Sequence, residues 1–349
     1  MNMKKVFYWV IALFSMSASV FADGLTATLQ QGDMMTPFYG VNAFQEAYAA
    51  AKDGAVITLS SGQFNDVATI SKQITVIGAN AFNATSAERT FLGSMRIATN
   101  NVKIEGIYFT GTVNLGTSNL SSIYNCVLKR CWINTELASA YKHENTVVDQ
   151  CVVKTESAVD YGYNYCIKNS TIDCFNDINN STNIAYITNC VIWHWAAWSG
   201  SSTNIQYQRP YAIYKNNYLG LYKTTNTSVS LQLPALSEFY HNMFCQGYMA
   251  QQYQDSDPYS FLNYIALTYA IGCINEDNVK GNQKFEKLLE FPAHPIDAPT
   301  GSDGTAVGPY GGTGFSEYPA IPRITSKKID SNSDAEGKIN VIITVKAEQ

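Results

Sequence analysis

One short pattern recurs seven times between Val102 and Phe244. An apolar residue is followed by any residue, by two mostly small or polar residues, by any residue, and by a second apolar residue. The copies are Ile104–Phe109, Ile123–Leu128, Val148–Val153, Ile167–Ile172, Ile187–Ile192, Tyr214–Leu219 and Phe239–Phe244. Their third residues fall at 106, 125, 150, 169, 189, 216 and 241, so neighbouring copies lie 19 to 27 residues apart. A strand-like repeat of this length predicts a solenoid.

The middle pair of each copy predicts a sharp bend between two short strands. The outer residues are β-branched, aromatic or leucine side chains that suit half-buried strands, and Asn or Gly in the middle tolerates left-handed backbone. The apolar spacing that a helix needs is not sustained in these windows. Stacked coils would place equivalent residues about 4.8 Å apart. Two side-chain ladders are therefore expected, one of Asn125, Asn169, Asn189 and Asn216 and one of Cys126, Cys151 and Cys190.

The steps longer than about 20 residues predict loops inserted into coils of constant size. These insertions are expected near residues 129–147, 193–212 and 220–236.

The copies Ile-Tyr-Asn-Cys-Val-Leu and Ile-Thr-Asn-Cys-Val-Ile resemble coils of the right-handed parallel β-helix proteins of the pectate-lyase-like superfamily. The lead-in Ile74–Asn80, followed by Asn101–Ile107, is similar to them as well. The resemblance covers roughly residues 40 to 250 and implies an all-β, right-handed parallel β-helix. The superfamily includes lyases, hydrolases, binding modules and adhesins, so the resemblance implies a fold and leaves the chemistry open.

The first 22 residues predict a cleaved signal peptide. Two lysines precede a mostly apolar stretch from Val6 to Val20, and Ala22 provides a small residue at the cut. No later segment has eighteen consecutive apolar residues, so no membrane span is expected. We therefore expect a secreted, periplasmic or cell-surface protein.

The rest of the chain predicts one β-helix domain over residues 23–322 and a C-terminal strand or hairpin tail over residues 323–349. Residues 41–52 predict an amphipathic helix with Phe44 and Tyr48 on one face, and we expect it to cap the open end of the core. Asn42 is the predicted start of this helix and Gly54 its end. The Pro- and Gly-rich stretch 285–322 predicts an irregular, packed connector. Its segment Val307–Phe315 resembles the closing segment of secreted β-helix proteins from Bacteroides-like bacteria.

Net charge narrows the classes of partner, and the cysteine and histidine content narrows the possible disulfides and metal sites. The chain has 28 acidic against 23 basic residues and a net charge of −5, which disfavours nucleic acid. The eight cysteines allow either interior thiols or one or two disulfides. The four histidines are scattered and no Cys-x-x-Cys is present, so we expect neither a structural zinc site nor a cofactor.

No catalytic residues can be identified from the sequence, and enzyme activity stays an open question. Lyases of the resembled fold need Ca²⁺-binding acids and an Arg or Lys base on one strip. In the outward position of the repeats only Asp149 and Lys168 form such a neighbour pair, and we interpret them as a cross-strand ion pair on a solvated face rather than as a catalytic pair. The hydrolase strings Asn-Thr-Asp, Asp-Asp, Gly-His-Gly and Arg-Ile-Lys are missing. Two carboxylates from different coils, Asp160 with Asp173 or Asp177, remain an alternative.

Aromatic residues provide the candidate binding site. The chain contains 23 Tyr, 16 Phe and 5 Trp, and aromatic faces stack on the apolar faces of sugar rings while Arg fixes hydroxyl groups. The longest repeat step contains the candidate ligand-binding residues Trp193, Trp195, Trp198, Tyr207, Arg209 and Tyr211. The alternative is a satellite core in which these aromatics pack on the flank of the solenoid. Tyr161, Tyr163 and Tyr165 alternate, so they are expected to share one strand face.

These observations favour a secreted β-helix protein that contacts polysaccharide in a binding or surface-structural role. The alternatives are a divergent polysaccharide lyase or glycoside hydrolase and an adhesin-like structural module.

Overall fold

The computed structural model describes residues 24–82, 88–117, 122–139, 141–158, 161–175, 185–198, 212–223, 238–246, 270–271, 274–276, 291–317, 323–329, 338–339 and 341–346. Within them the chain consists mainly of short parallel strands that stack into a β-solenoid. The predicted all-β parallel solenoid is confirmed. Its right-handed sense stays a prediction. The proposed signal peptide lies outside the described residues.

Sheet A forms one flank of the solenoid. Its strands in spatial order are Met34–Tyr39, Thr26–Gln31, Val56–Leu59, Thr75–Ile77, Lys103–Glu105, Val127–Lys129, Val147–Asp149, Cys166–Lys168, Ala185–Thr188, Ala212–Lys215, Glu238–Tyr240 and Ala270–Ile271. The first two form an antiparallel hairpin on the edge of Val56–Leu59. Every later pair is parallel, as stacked coils require.

Sheet B forms the second flank and sheet C a short third one. The main path of sheet B, in spatial order, is Gly62–Gln63, Thr90–Leu92, Tyr108–Phe109, Trp132–Ser139, Val152–Glu156, Thr171–Phe175, Val191–Trp198, Tyr218–Lys223, Met243–Gln246 and Ile274–Glu276. Beside this path lie Thr69–Ile70, Met95–Ile97 and Val113–Leu115. Sheet C consists of Ile123–Tyr124, His143–Glu144 and Gly162–Tyr163.

The core lies inside the coils because alternate residues of each strand point inward. On sheet A the inward residues Leu128, Val148 and Ile167 are fully buried, and on sheet B so are Ile133 and Val153. All belong to one continuous cluster. Each such side chain contributes about 1.5–3 kcal/mol by leaving water. The apolar positions of the repeat are therefore the core positions.

One helix, Ala43–Ala50, packs against the hairpin and the strand Val56–Leu59 at the start of the solenoid. It buries Ala43, Phe44 and Ala47. Asn42 occupies the position before the helix, but its side chain makes no capping bond and instead accepts from Asn65 Nδ2 at 2.6 Å. The helix spans fewer residues than the predicted 41–52. That it covers the open end of the solenoid core stays a prediction.

Each coil bends at residues with left-handed backbone, and the bends form two separate corners. The first corner, between sheets C and A, holds Asn101, Asn125, Asn145 and Asn164. The second corner, between sheets A and B, holds Gly106, Arg130, Gln150, Asn169, Asn189, Asn216 and His241. All seven third residues of the repeat have positive φ, which confirms the predicted bend.

The predicted register is wrong for one copy of the repeat, Ile123–Leu128. Asn125 lies on the first corner, where its Nδ2 donates to Asn101 Oδ1 at 3.2 Å and its Oδ1 accepts from Asn145 at 3.2 Å. The predicted ladder that joins Asn125 to Asn169, and the ladder that joins Cys126 to Cys151, are therefore wrong. The equivalent copy on the second corner is Leu128–Ile133, which has Arg130 at the bend.

The predicted insertion near 129–147 is also wrong, because it depends on the same register. That stretch contains the continuous strand Trp132–Ser139 and the sheet C strand His143–Glu144. The proposed insertion at 193 is displaced, since Val191–Trp198 is a strand of sheet B. The insertions predicted near 193–212 and 220–236 also include residues 199–211 and 224–236, which lie outside the described part of the chain.

Directly after the second corner, an inner ladder of small polar side chains ties each coil to the next. Its members are Cys131, Cys151, Ser170, Cys190, Asn217 and Asn242. The amide of Cys151 donates to Ser170 Oγ at 3.0 Å, and the amide of Cys190 donates to Asn217 Oδ1 at 2.8 Å. Asn217 Nδ2 in turn donates to the carbonyl of Ile187 at 2.8 Å. These side chains bond backbone groups that the bend removes from the sheets.

Six cysteines have described side chains and are free thiols: Cys126, Cys131, Cys151, Cys166, Cys174 and Cys190. Burial raises the pKa of the Cys126 thiol to about 11 and the pKa of Cys190 above its ordinary value. These two thiols therefore stay protonated and donate to carbonyl groups, as Cys190 Sγ does to Thr188 O at 3.2 Å. Interior thiols, rather than disulfides, describe this part of the chain.

Residues 291–317, here called the strap, run outside the second corner. Asn169 Nδ2 donates to the carbonyls of Pro309 and Gly311 at 2.9 and 2.6 Å. Asn216 Oδ1 accepts from the amide of Ser302 at 2.8 Å. Gly311 is required here because a Cβ would lie 1.7 Å from the carbonyl of Ala306. The corner asparagines thus bind the strap instead of one another.

We predict that Asn217→Ala lowers the free energy of unfolding by about 1–3 kcal/mol, because it leaves the amide of Cys190 and the carbonyl of Ile187 buried without their partner. Urea unfolding curves measure this loss. Asn217→Ser is the matched control, since Ser170 fills the equivalent position of another coil, and it should lose less. Equal losses in both variants would contradict the role of the ladder.

Candidate functional site

The outer face of sheet B is unusually apolar for a surface. The outward residues of successive strands are Phe91, Tyr108, Trp132, Val152, Thr171, Val191, Tyr218 and Met243. The register aligns them in one column across the coils, about 4.8 Å apart. An apolar column of this length is either covered by another part of the chain or available to a ligand.

The strap covers the C-terminal half of this column. Val191, Tyr218 and Met243 form a buried cluster with Ala293 and Val307 of the strap. A second cluster joins Val152 to Ala81, Phe82 and Phe315. These contacts form a satellite core outside the solenoid.

The N-terminal half of the column is a half-buried aromatic ladder of Phe91, Tyr108 and Trp132. The ring centroids of Phe91 and Tyr108 are 5.2 Å apart. Tyr108 and Trp132 are stacked, with centroids 5.5 Å apart and ring planes 25° from parallel. This ladder exists because the parallel register brings residues 17 to 24 positions apart into direct contact.

A cation lies over the ladder. The guanidinium of Arg89 is 5.2 Å from the ring centroid of Tyr108 and 5.6 Å from that of Trp132. Its Nη2 also donates to the carbonyl of Phe82 at 3.4 Å. Cation–π attraction and this hydrogen bond orient the guanidinium against the rings. Arg89 therefore supplies fixed donors next to flat apolar faces.

Exposed polar residues border the aromatic ladder on one side. Thr110 and Asn134 occupy the next outward positions after Tyr108 and Trp132, and both are exposed. Lys154 follows in the next coil, where it pairs with Asp173 and lies 5.1 Å from the ring centroid of Phe291. Aromatic faces flanked by amide, hydroxyl and guanidinium groups are the chemistry that recognises sugars.

The candidate ligand-binding residues predicted from the sequence are not the members of the aromatic ladder. Trp193 is only 3% exposed and packs in the cluster under the strap, as the satellite-core alternative describes. Trp195 and Trp198 belong to the strand Val191–Trp198. Tyr207, Arg209 and Tyr211 lie outside the described residues. The sequence does not single out the aromatic ladder by itself. Its members lie next to inward positions of the repeat, so an alignment of the copies by their second corners would place the three rings in one column.

The alternating tyrosines do not share a face. Tyr161 and Tyr163 are exposed, whereas Tyr165 is fully buried. The corner residue Asn164 has φ of 52° and turns the chain between them. The alternation rule fails here because it holds only within one strand.

The acidic residues considered for catalysis are held in ion pairs. Asp149 Oδ2 lies 3.6 Å from Lys168 Nζ and 3.8 Å from Lys129 Nζ, all on the outer face of sheet A. Asp173 pairs with Lys154 on sheet B, and Asp160 and Asp177 lie outside the described residues. Within the described part of the chain no group of three His, Cys, Asp or Glu side chains is placed to hold a metal ion.

A polar cluster inside the solenoid was not anticipated. The hydroxyl of Tyr165 donates to Glu156 Oε1 at 3.1 Å, and His143 Nε2 is 2.8 Å from the carbonyl of Ala158. The rings of His143 and Tyr165 meet edge to face at 4.9 Å. Gly162 makes room for them, since a Cβ there would lie 3.0 Å from His143 Cε1. Burial lowers the pKa of His143 to about 4, so the imidazole is neutral in the folded protein.

Comparison with known proteins does not add a family. No protein-family model matches the chain, and neither the curated proteins nor the solved structures provide a match. Among the residues that the structure describes, no helix has the length and apolar character needed to cross a membrane.

We predict that Trp193→Ala lowers the free energy of unfolding by about 3–5 kcal/mol, because the buried indole fills the cluster between sheet B and the strap. Chemical denaturation measures the loss. Tyr163→Ala is the control, since Tyr163 is 59% exposed, and it should change stability by less than about 0.5 kcal/mol. A neutral Trp193→Ala would contradict the packing role.

We predict that His143 makes stability depend on pH between pH 6.5 and about 4. The His143 imidazole binds a proton near pH 6.5 in the unfolded chain, but only near pH 4 in the folded chain. The contribution of neutral His143 to the free energy of unfolding is therefore fully present above pH 6.5. It falls by about 3 kcal/mol as the pH drops to 4. Unfolding curves at several pH values test this. His143→Ile, which copies Ile123 of the preceding coil, should flatten the slope in that window, and an unchanged slope would exclude His143 as its cause.

Proposed function

We propose that this chain is a secreted protein that binds polysaccharide on the outer face of sheet B, in a binding or surface-structural role. The observation that supports it most is the half-buried aromatic ladder of Phe91, Tyr108 and Trp132 with the Arg89 guanidinium over two of its rings. Successive rings along parallel coils offer repeated stacking positions to a linear polymer. We further propose that the solenoid is a right-handed β-helix related to the pectate-lyase-like superfamily.

The residues predicted from the sequence extend the same surface. Trp195 and Trp198 lie on a strand of sheet B, the sheet that carries the aromatic ladder. We propose them, together with Tyr207, Arg209 and Tyr211, as further contacts for the polymer. Trp193 supports this surface from beneath the strap, because its indole is buried.

The ion pairs that the candidate acidic residues form favour binding over catalysis. Asp149 lies between two lysines and Asp173 is paired with Lys154. Glycoside hydrolysis requires two carboxyl groups that face one bond of the sugar chain. These two aspartates instead lie on different sheets.

A panel of plant, host and microbial glycans tests the proposal, with retention and the appearance of new reducing or unsaturated ends scored together. We expect retention of at least one linear glycan without new ends. New ends would show an enzyme instead of a binding protein. Neither signal across the panel would contradict glycan binding altogether.

We predict that Tyr108→Ala weakens binding of the retained glycan about 2- to 12-fold, the loss of one stacking contact of ~0.5–1.5 kcal/mol. Isothermal titration against the purified glycan measures the change. Tyr163→Ala removes an exposed tyrosine from sheet C and should leave the affinity unchanged. Equal losses in the two variants, or none in either, would exclude the aromatic ladder as the binding surface.

A further inference from the structure

The strap carries further aromatic rings outside the solenoid. Phe291 packs on Trp132, the last ring of the aromatic ladder, with ring centroids 6.4 Å apart. Farther along the strap, the ring of Tyr310 stacks on that of His294, with centroids 5.4 Å apart and ring planes 27° from parallel. Aromatic rings therefore continue from sheet B onto the strap.

The strap follows the same column of sheet B that carries the ladder. The register places Trp132 and Thr171 in this column, two coils apart. Phe291 packs at Trp132, and the amide of Ala293 donates to Thr171 Oγ1 at 3.0 Å. The stacked pair begins at the residue after Ala293, so it lies at the coil of Thr171, farther along the axis of the solenoid than the ladder.

Two buried rings connect Tyr310 to the ladder. Phe315 meets Tyr310 edge to face, with centroids 5.9 Å apart, and lies 5.2 Å from the ring of Phe82. Phe82 in turn lies 6.1 Å from the ring of Trp132. The ring contacts are thus continuous from the ladder to Tyr310, and they fix where Tyr310 lies.

Tyr310 is the most exposed ring of this set. It is 42% exposed, whereas the two connecting rings are almost fully buried. Its neighbours Pro309 and Gly311 both accept from Asn169 Nδ2, at 2.9 and 2.6 Å. An exposed ring on a fixed backbone stacks on a sugar without the cost of ordering a loop.

The line of rings is longer than a short sugar. Phe91 and Thr171 occupy one column four coils apart, which corresponds to about 19 Å at the spacing of stacked strands. Tyr310 lies at the far end of this line, because Asn169 belongs to the same coil as Thr171. A disaccharide is shorter than the line, whereas a stretch of a linear polymer reaches both ends.

We propose that the binding surface extends from the aromatic ladder across Phe291 to Tyr310, and that its preferred ligand is a long stretch of linear polysaccharide rather than a short oligosaccharide. The polymer lies along the axis of the solenoid, with Tyr310 as its far stacking contact. This assignment rests on the glycan binding proposed above and adds the strap as the second half of the site.

The test is a titration of oligosaccharides of increasing length, prepared from a retained glycan, against the wild type and Tyr310→Ala. We expect the two proteins to bind the short members equally, since the ladder alone contacts these. Once the sugar is long enough to reach the strap, Tyr310→Ala should bind about 2- to 12-fold more weakly, the loss of one stacking contact. Tyr108→Ala should weaken binding of the short members as well.

Three further variants separate stacking from packing of the strap. Tyr310→Phe keeps the ring and should restore the affinity that Tyr310→Ala loses. Tyr310→Leu keeps an apolar side chain against Phe315 without a flat face, and it should bind like Tyr310→Ala. Ile296→Ala shortens another exposed apolar side chain of the strap and should bind like the wild type. Urea unfolding curves check that each variant is folded.

The outcomes distinguish this assignment from the proposed function. No loss in Tyr310→Ala at any length, or an equal loss at every length, would overturn the role of the strap while binding to the ladder stands. Equal losses in Tyr310→Phe and Tyr310→Ala would also overturn it, since the ring would then not be the contact. Absence of binding by the wild type to every glycan would instead contradict the proposed function, on which the role of the strap depends.

Discussion

The solenoid depends on how the backbone is satisfied at its second corner. A sharp bend takes N–H and C=O groups out of the sheets, and a buried group without a partner costs about 1–3 kcal/mol. The inner ladder solves this with short side chains that both accept and donate, as Ser170 does between Cys151 N and Lys168 O. Because the bonds that these side chains accept from backbone amides join one coil to the next, bending and stacking are stabilised by the same contacts. Burial raises the pKa of the Cys151 and Cys190 thiols of the ladder, which preserves their ability to donate.

The strap decides which part of sheet B remains a surface. Its asparagine contacts at Asn169 and Asn216 fix it along the second corner, and Ala293 and Val307 then close over the apolar column. Coverage ends near Phe315, which packs on Phe82 with centroids 5.2 Å apart. The aromatic ladder meets the edge of that cover, where Trp132 packs on Phe291 of the strap with ring centroids 6.4 Å apart. The candidate binding surface is thus a consequence of the length and path of the strap.

Sequence reasoning found the strands and bends because their signals are local. Apolar alternation and a left-handed third residue are properties of six consecutive positions, and they hold in all seven copies. It failed on register because Asn-Cys occurs at both corners, as in Asn125-Cys126 and Asn189-Cys190. The true copy, Leu128–Ile133, does not match the pattern, because its bend residue is Arg130. That residue is held by Glu105 Oε1 at 2.7 Å, 25 positions earlier in the chain.

The sequence by itself determined the parallel solenoid, since a repeat whose apolar face cannot be buried by one coil requires stacked neighbours. It left open whether the aromatic residues near Trp193 form an exposed binding surface or a satellite core on the flank. Only the tertiary structure decided that Trp193 is covered while Tyr108 and Trp132 stay half-exposed. The physical reason is that the covering residues, such as Val307, lie about a hundred positions away. Their contact depends on how many coils the strap crosses, a quantity that no local pattern encodes.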